Sequence, residues 1–253
     1  TVLNDPETGS RIHAEMAELE LDKNDPFIGS ALVHMYGKCG CLSEAWLVFH
    51  NIDAKDVVAW NCILSVCRDG QMEEVMVLYE KMELEDVVPD KVTFICILKA
   101  CGSIRSPELG QEIDAQIRKQ GLLGKDITLD TSLVDMYAKC GMLEKAQEVF
   151  DKLPKRNVVT WTALITGYAH YELMDEALDC FLQMREERVM PNSVTFICIL
   201  KACGSIGALK TGEEIHTEVR KQGLLQRDIV IGTAMVDMYA KCGMLGKAQD
   251  VFN

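Results

Sequence analysis

The residues best suited to chemistry are two copies of one tripeptide, His13-Ala14-Glu15 and His216-Thr217-Glu218. Zinc-dependent base deaminases use His-x-Glu followed by Cys-x-x-Cys, with histidine and cysteines holding the metal and glutamate moving the proton. Here the second half is missing. Eleven cysteines are present, but no pair has Cys-x-x-Cys spacing, and the nearest approach is Cys39-Gly40-Cys41. The corresponding slot elsewhere reads Asp114-Ala115-Gln116, so the tripeptide is not kept where its surroundings recur. Both copies are therefore expected to face solvent on helices. No glycine-rich phosphate loop or nucleophile triad accompanies them. The sequence predicts no catalytic residue, no metal site, no cofactor and no small-molecule substrate, hence not an enzyme. The cysteines, among them Cys96, Cys101, Cys198 and Cys203, lie inside apolar helical patterns. That predicts buried small side chains in a reducing compartment rather than a disulfide scaffold.

A second chemistry, hydrogen bonding without reaction, is open to short polar side chains that fill one recurring slot: Ser30, Asn61, Thr131, Thr162 and Thr233. The recurrence is set by long copies. Thr93-Phe94-Ile95-Cys96-Ile97-Leu98-Lys99-Ala100-Cys101-Gly102-Ser103-Ile104 returns letter for letter from Thr195 to Ile206. Val134 to Leu143 returns from Val236 to Leu245, and more loosely from Val33 to Leu42. Val57-Val58-Ala59-Trp60-Asn61 is echoed by Val158-Val159-Thr160-Trp161-Thr162. Such copies mark an array. Its units are 26–56, 57–90, 91–126, 127–157, 158–192 and 193–228, with partial units at 1–25 and 229–253. Because both ends fall inside a unit, the chain is expected to be an excerpt of a longer array, in which no targeting peptide is to be sought.

Each unit reads as two helices. In 127–157, Leu133, Val134 and Tyr137 give one apolar face, Gly141 supplies a turn, and Leu143, Ala146, Val149 and Phe150 continue at helical spacing until Pro154. One hairpin cannot bury both faces, whereas stacked neighbours can, so the chain should be an all-α solenoid. With 48% hydrophobic and 26% charged residues it can bury a core, and no run of about 18 apolar residues crosses a membrane. The net charge of −13 argues against generic binding to polyanions.

Units of 31 and 34 to 36 residues in rotation, with Trp60-Asn61-Cys62-Ile63-Leu64, Lys99-Ala100-Cys101-Gly102-Ser103-Ile104 and Asp135-Met136-Tyr137-Ala138-Lys139-Cys140-Gly141-Met142-Leu143, resemble the pentatricopeptide repeat family. More narrowly they resemble its plant subclass in which P, L and S repeats alternate. By that resemblance 57–90 and 158–192 are P-like, 91–126 and 193–228 L-like, and 26–56 and 127–157 S-like, with partial L-like 1–25 and partial S-like 229–253. The resemblance implies a right-handed superhelical solenoid of helix-turn-helix repeats. It also implies single-stranded RNA as partner, one nucleotide per repeat and parallel to the chain, with no membrane. The location implied is mitochondrion or chloroplast, and the task is targeting for C-to-U editing or processing, with an editing-complex protein as a further partner.

In that family the fifth and last residues of a repeat select the base. Carried over residue by residue, Ser30 with Asp56 resembles a guanine reader and Asn61 with Asp90 a uracil reader. Thr131 with Asn157 and Thr162 with Asn192 resemble adenine readers, and Thr233 a purine reader. Ile95 with Asp126 and Ile197 with Asp228 should select weakly, because isoleucine carries no hydrogen-bonding group. The implied register over 26–228 is 5′-G-U-N-A-A-N-3′. Base stacking falls to Phe27, Val58, Val92, Thr128, Val159, Val194 and Val230, and phosphate contact to Lys38, Lys139 and Lys241, with Lys99 and Lys201 in a second slot. Glu74, Glu112 and Glu214 are expected to face outward. Unit 57–90, short around Cys67 to Gly70, should end its first helix early and tilt Asn61. The plain alternatives are that the polar residues cap helices, the valines pack in the core and the lysines form a solvated face. The rival function is a protein-binding helical scaffold, which the acidic balance favours.

Overall fold

The computed structural model describes residues 6–18, 25–67 and 72–253, and every regular element among them is an α-helix. The chain divides into two compact units, 1–122 and 123–253. The first holds α1 (Pro6–Glu18), α2 (Pro26–Cys39), α3 (Leu42–His50), α4 (Val57–Val66), α5 (Met72–Leu84), α6 (Lys91–Ile104) and α7 (Pro107–Lys119). The second holds α8 (Ile127–Lys139), α9 (Leu143–Asp151), α10 (Val158–His170), α11 (Met174–Glu186), α12 (Ser193–Ile206), α13 (Leu209–Lys221), α14 (Ile229–Lys241) and α15 (Leu245–Phe252). No described helix is long and apolar enough to cross a membrane.

Each unit is a stack of helix hairpins. First helices pack side by side, α2 on α4 on α6 in one unit and α8 on α10 on α12 on α14 in the other. Within a unit, a second helix packs against its own partner and the next first helix, as α3 does on α2 and α4 and α9 does on α8 and α10. The result is two layers, with the core between them. Aromatic side chains cross from one hairpin to the next: Phe49 of α3 meets Trp60 of α4 edge-on at 5.0 Å, and Phe150 of α9 meets Trp161 of α10 at 4.5 Å. Such pairs contribute about 0.5–1.5 kcal/mol beyond burial.

The expected apolar stripe of 127–157 is the buried one, with Leu133, Val134, Ala146, Val149 and Phe150 in the core. Helix α8 ends at Lys139, and Gly141 follows at φ 76°, a left-handed conformation that glycine adopts without a Cβ clash. Helix α9 ends at Asp151, ahead of Pro154. The early end expected of the first helix in 57–90 is present: α4 stops at Val66, ten residues against thirteen in α10. Residues 68–70, where that unit was read as shortened, lie outside those described.

The cysteines correct one expectation. All eleven are free thiols, but only Cys101, Cys180 and Cys203 are fully buried; Cys96, Cys198 and the rest are half-buried. Burial pushes the thiols of Cys180 and Cys203 up to about 12, so they pack as inert small side chains rather than nucleophiles.

Candidate nucleic-acid interface

The last residue of each repeat is the N-cap of the next first helix. Asp25, Asp56, Asp90, Asp126, Asn157, Asn192 and Asp228 all stand just before a helix in extended backbone and accept from its first free N–H groups. Asn157 Oδ1, for example, accepts from the N–H groups of Val159 and Thr160, both at 2.9 Å. So capping is a real role of these residues. It is not the role of the fifth-slot residues. Ser30, Asn61, Thr131, Thr162 and Thr233 lie a full turn inside their helices.

Stacking first helices brings the fifth residue of one repeat to the cap of the next. Asn61 Nδ2 donates to Asp90 Oδ1 at 2.9 Å, and Thr93 Oγ1 donates to Asn61 Oδ1 at 2.7 Å. With α4 ending early, Asn61 is still bonded to Asp90, the last residue of its repeat. At Asp90, burial raises the carboxyl's affinity for protons. Bonds from the Thr93 N–H, the Asn61 amide, the Thr93 hydroxyl and the Val92 N–H outweigh it and hold Asp90 below the ordinary carboxylate range. Thr131 and Asn157 are joined through Thr160, whose Oγ1 lies 2.9 Å from Thr131 Oγ1 and 3.0 Å from Asn157 Oδ1. Thr162 and Asn192 are joined in the same way through Thr195, at 2.8 and 2.9 Å.

The remaining slots differ. Ser30 is buried, as Asn61 and Thr162 are, but at the position of those threonines its neighbouring helix has Ala59. Ile197 is half-buried; Asp228 caps α14 through the N–H groups of Val230 and Ile231. Thr233 is exposed and donates back to the Ile229 carbonyl at 2.9 Å. Ile95 and Asp126 fall in different compact units.

The proposed stacking residues stand three positions before the fifth slot, on the same helix face. They are not core. Exposure runs from 40% at Val92 through 50% at Val58 and Val194 and 54% at Val159 and Val230 to 79% at Phe27, and Thr128 is exposed as well. A repeated exposed apolar side chain thus stands beside a hydrogen-bonded polar pair, an arrangement chemically suited to a flat ring with a polar edge.

Charge is placed unevenly. Glu74, Glu112 and Glu214 are exposed on second helices, as expected. Lys38, Lys139 and Lys241 are exposed in the last turn of their first helices, and Lys99 and Lys201 are exposed on α6 and α12. Lys139 and Lys241 pair with Asp135 and Asp237, each at 2.7 Å, whereas the slot four residues before Lys38 holds His34. Two of the three lysine charges are thus partly neutralised from within their own helix.

The PPR repeat family model matches residues 55–103 and 156–205, and the PPR repeat model matches 30–57, 131–158 and 233–253. The chain belongs to the pentatricopeptide repeat family. A chloroplastic pentatricopeptide repeat-containing protein of Arabidopsis thaliana is 36% identical over 246 residues, covering 97% of this chain and 39% of that protein. A mitochondrial one from the same plant is 34% identical over 248 residues, covering 98% and 44%. The chain therefore spans less than half the length of these relatives. Among solved structures, the pentatricopeptide repeat protein PPR10 in complex with an 18-nt psaJ RNA element superposes with a TM-score of 0.78, at 18% identity over 97% of this chain and 37% of that one. PPR10 from maize gives 0.60, at 18% identity over 97% and 40%. These likenesses show an all-α helical repeat solenoid.

Two features of these pentatricopeptide repeats escaped the sequence reading. The buried hydroxyls of Thr93, Thr160 and Thr195 link the fifth-slot residue to the cap, and their signal was a polar residue in an otherwise apolar core pattern. The histidines of the two tripeptides were expected to face solvent, but they are half-buried. His13 Nδ1 and His216 Nδ1 lie 2.8 Å from the hydroxyls of Tyr36 and Tyr239, with the rings packed edge-on at 5.6 Å. The tyrosines of the following hairpin draw them inward. No three His, Cys, Asp or Glu among the described residues converge as a metal site would require.

Proposed function

We propose that this chain reads single-stranded RNA, one nucleotide per repeat, with the register 5′-G-U-N-A-A-N-3′ over 26–228. The observation that supports it most is the joint placement of exposed Val58 and Val159 beside the bonded sets Asn61–Asp90 and Thr162–Thr195–Asn192. A base stacked on the valine meets a polar edge whose donors and acceptors differ from one junction to the next. Ser30 with Asp56 selects guanine, Asn61 with Asp90 uracil, and Thr131 with Asn157 and Thr162 with Asn192 adenine. Ile95 with Asp126 and Ile197 with Asp228 select weakly, and Thr233 favours a purine. Phe27, Val92, Thr128, Val194 and Val230 complete the stacking row.

The whole protein of which these repeats are part is proposed to be an organellar targeting factor of the P, L and S subclass, in chloroplast or mitochondrion, for C-to-U editing or processing. The relatives named chloroplastic and mitochondrial support that location. Because the chain is acidic and Lys139 and Lys241 are paired, affinity should be modest and fall steeply with salt.

The test is titration of an RNA containing GUNAAN against a scrambled RNA of the same composition at low and moderate salt. Preferential binding of the designed RNA supports the reading. Equal affinity for both removes base selection. No binding to either at low salt favours a protein-binding scaffold instead.

A further inference from the structure

We propose that Thr93, Thr160 and Thr195 are positioning residues for base selection, each fixing how the fifth-slot side chain of the preceding repeat presents itself to a base. The proposal rests on the RNA-reading function above and adds to it a third residue, supplied by the following repeat. All three side chains are fully buried, so none of them can touch a base. Any influence on selection must pass through the fifth residue.

The bonds say what that influence is. Thr93 Oγ1 accepts from the Asp90 N–H at 3.1 Å and donates to Asn61 Oδ1 at 2.7 Å, while Asn61 Nδ2 donates to Asp90. A primary amide has an acceptor end and a donor end, and this arrangement permits one orientation only. At the other two junctions the fifth residue is a threonine whose own proton is within reach of a helix carbonyl, Thr131 to Ile127 at 2.7 Å and Thr162 to Val158 at 2.6 Å. With those protons spent, the hydroxyl protons of Thr160 and Thr195 are shared between the oxygens of Thr131 and Thr162, at 2.9 and 2.8 Å, and those of Asn157 and Asn192, at 3.0 and 2.9 Å. They hold each fifth-slot oxygen at one rotamer with one lone pair left over. If the proton of Thr131 turns instead to an acceptor on a base, the Thr160 hydroxyl stays within 2.9 Å of its oxygen and can donate into it.

Thr93 and Thr195 also complete capping boxes, accepting from the Asp90 and Asn192 N–H groups at 3.1 and 3.3 Å, but capping alone does not account for the hydroxyl. Asp126 and Asp228 cap their helices with Leu129 and Ile231 in the same position, so the cap itself needs no hydroxyl there. Along the chain the hydroxyl follows Asn61, Thr131 and Thr162, whereas leucine and isoleucine follow Ile95 and Ile197. The choice tracks the reader, not the cap. Ser30 is followed by Ala59, which carries no hydroxyl.

The test uses the full chain with Thr160→Val, Thr160→Ser and Thr195→Val, titrated against RNAs bearing adenine or guanine at the fourth or the fifth nucleotide. Thr160→Val should lower the adenine-to-guanine affinity ratio at the fourth nucleotide by about fivefold, the equivalent of one hydrogen bond, and leave the fifth unchanged. Thr160→Ser should restore the ratio, and Thr195→Val should act at the fifth nucleotide alone. A flat wild-type response at both nucleotides overturns the base-reading function and this proposal with it. A selective wild type whose ratios survive both valine substitutions overturns the positioning role alone. Should Thr160→Val melt early, Thr195→Val carries the same decision independently.

Discussion

Asn157→Asp changes one group on this surface. The cap at α10 uses Oδ1, which accepts from Val159 N–H and Thr160 N–H at 2.9 Å each and from Thr160 Oγ1 at 3.0 Å. Aspartate caps as well as asparagine, and its charge at a helix N-terminus contributes about 0.3–1 kcal/mol. Thermal stability should therefore hold or rise slightly. What changes is the second head-group atom, from an amide donor to a carboxylate acceptor. Adenine offers an acceptor at N1, and guanine offers donors at N1 and N2, so the preference at the fourth nucleotide should pass from adenine to guanine. Base-edge contacts discriminate by about 1–3 kcal/mol, roughly 5- to 150-fold. The added negative charge on a chain already at −13 weakens binding to every RNA alike and cancels in the ratio. The assay is fluorescence anisotropy with RNAs differing only at the fourth nucleotide. If the variant melts like wild type, still binds, and keeps its adenine preference, Asn157 is a cap and nothing more. A switch at the third or fifth nucleotide instead would refute the register.

Val159→Asp places a charge where 54% of the side chain is already in solvent, so the melting temperature should barely move while RNA affinity falls at least about fivefold; unchanged affinity would remove Val159 from the stacking row. Arg105 and Gly207 close the two copies of one helix, both left-handed, at φ 53° and 74°. Arg105→Gly should raise the urea midpoint by an amount worth about 0.5–1 kcal/mol, the left-handed penalty less the added entropy of the unfolded chain. Gly207→Ala, whose Cβ would meet nothing within 4 Å, should lower it by about 1 kcal/mol from the backbone alone. His216 is held below the ordinary imidazole range by burial first and then by Arg220 and Lys247. A depressed value makes the neutral form the stabilising one. Stability should be full above the unfolded value of about 6.5 and decline as pH falls below it. Melting curves between about pH 7.5 and 5.5 check this, and His216→Gln should remove that part of the slope.

The fold was legible because both of its determinants are local and repeated. Helical periodicity marks the stripe from Leu143 to Phe150, and the copied Gly141 and Gly243 mark where first helices end. The row of exposed side chains was legible only through its recurrence, since a single Val58 or Val159 in an apolar run reads as core. Sequence separation concealed the rest. The contacts that draw His216 to Tyr239 and Thr162 to Thr195 span 23 and 33 residues, and no spacing rule within one helix points to them. The half-burial of the cysteines was hidden for a related reason: an apolar pattern assigns a face to the core but does not say how close the neighbouring helix comes.

The geometry also relocates the unit of recognition. A fifth residue belongs to one repeat, but the cap it is tied to is the start of the next first helix, and the threonine between them lies inside that helix. Asn61 is completed by Asp90 and Thr93, Thr131 by Asn157 and Thr160, Thr162 by Asn192 and Thr195. On the proposed reading a base meets a junction rather than a repeat. Moving a repeat with its last residue but without the helix that follows would carry two of the three groups and leave the third behind. Grafting Thr131 and Asn157 ahead of a helix with isoleucine in the threonine slot, as in α14, should therefore read adenine less sharply than the native junction does. The same graft carrying Thr160 as well should read it fully.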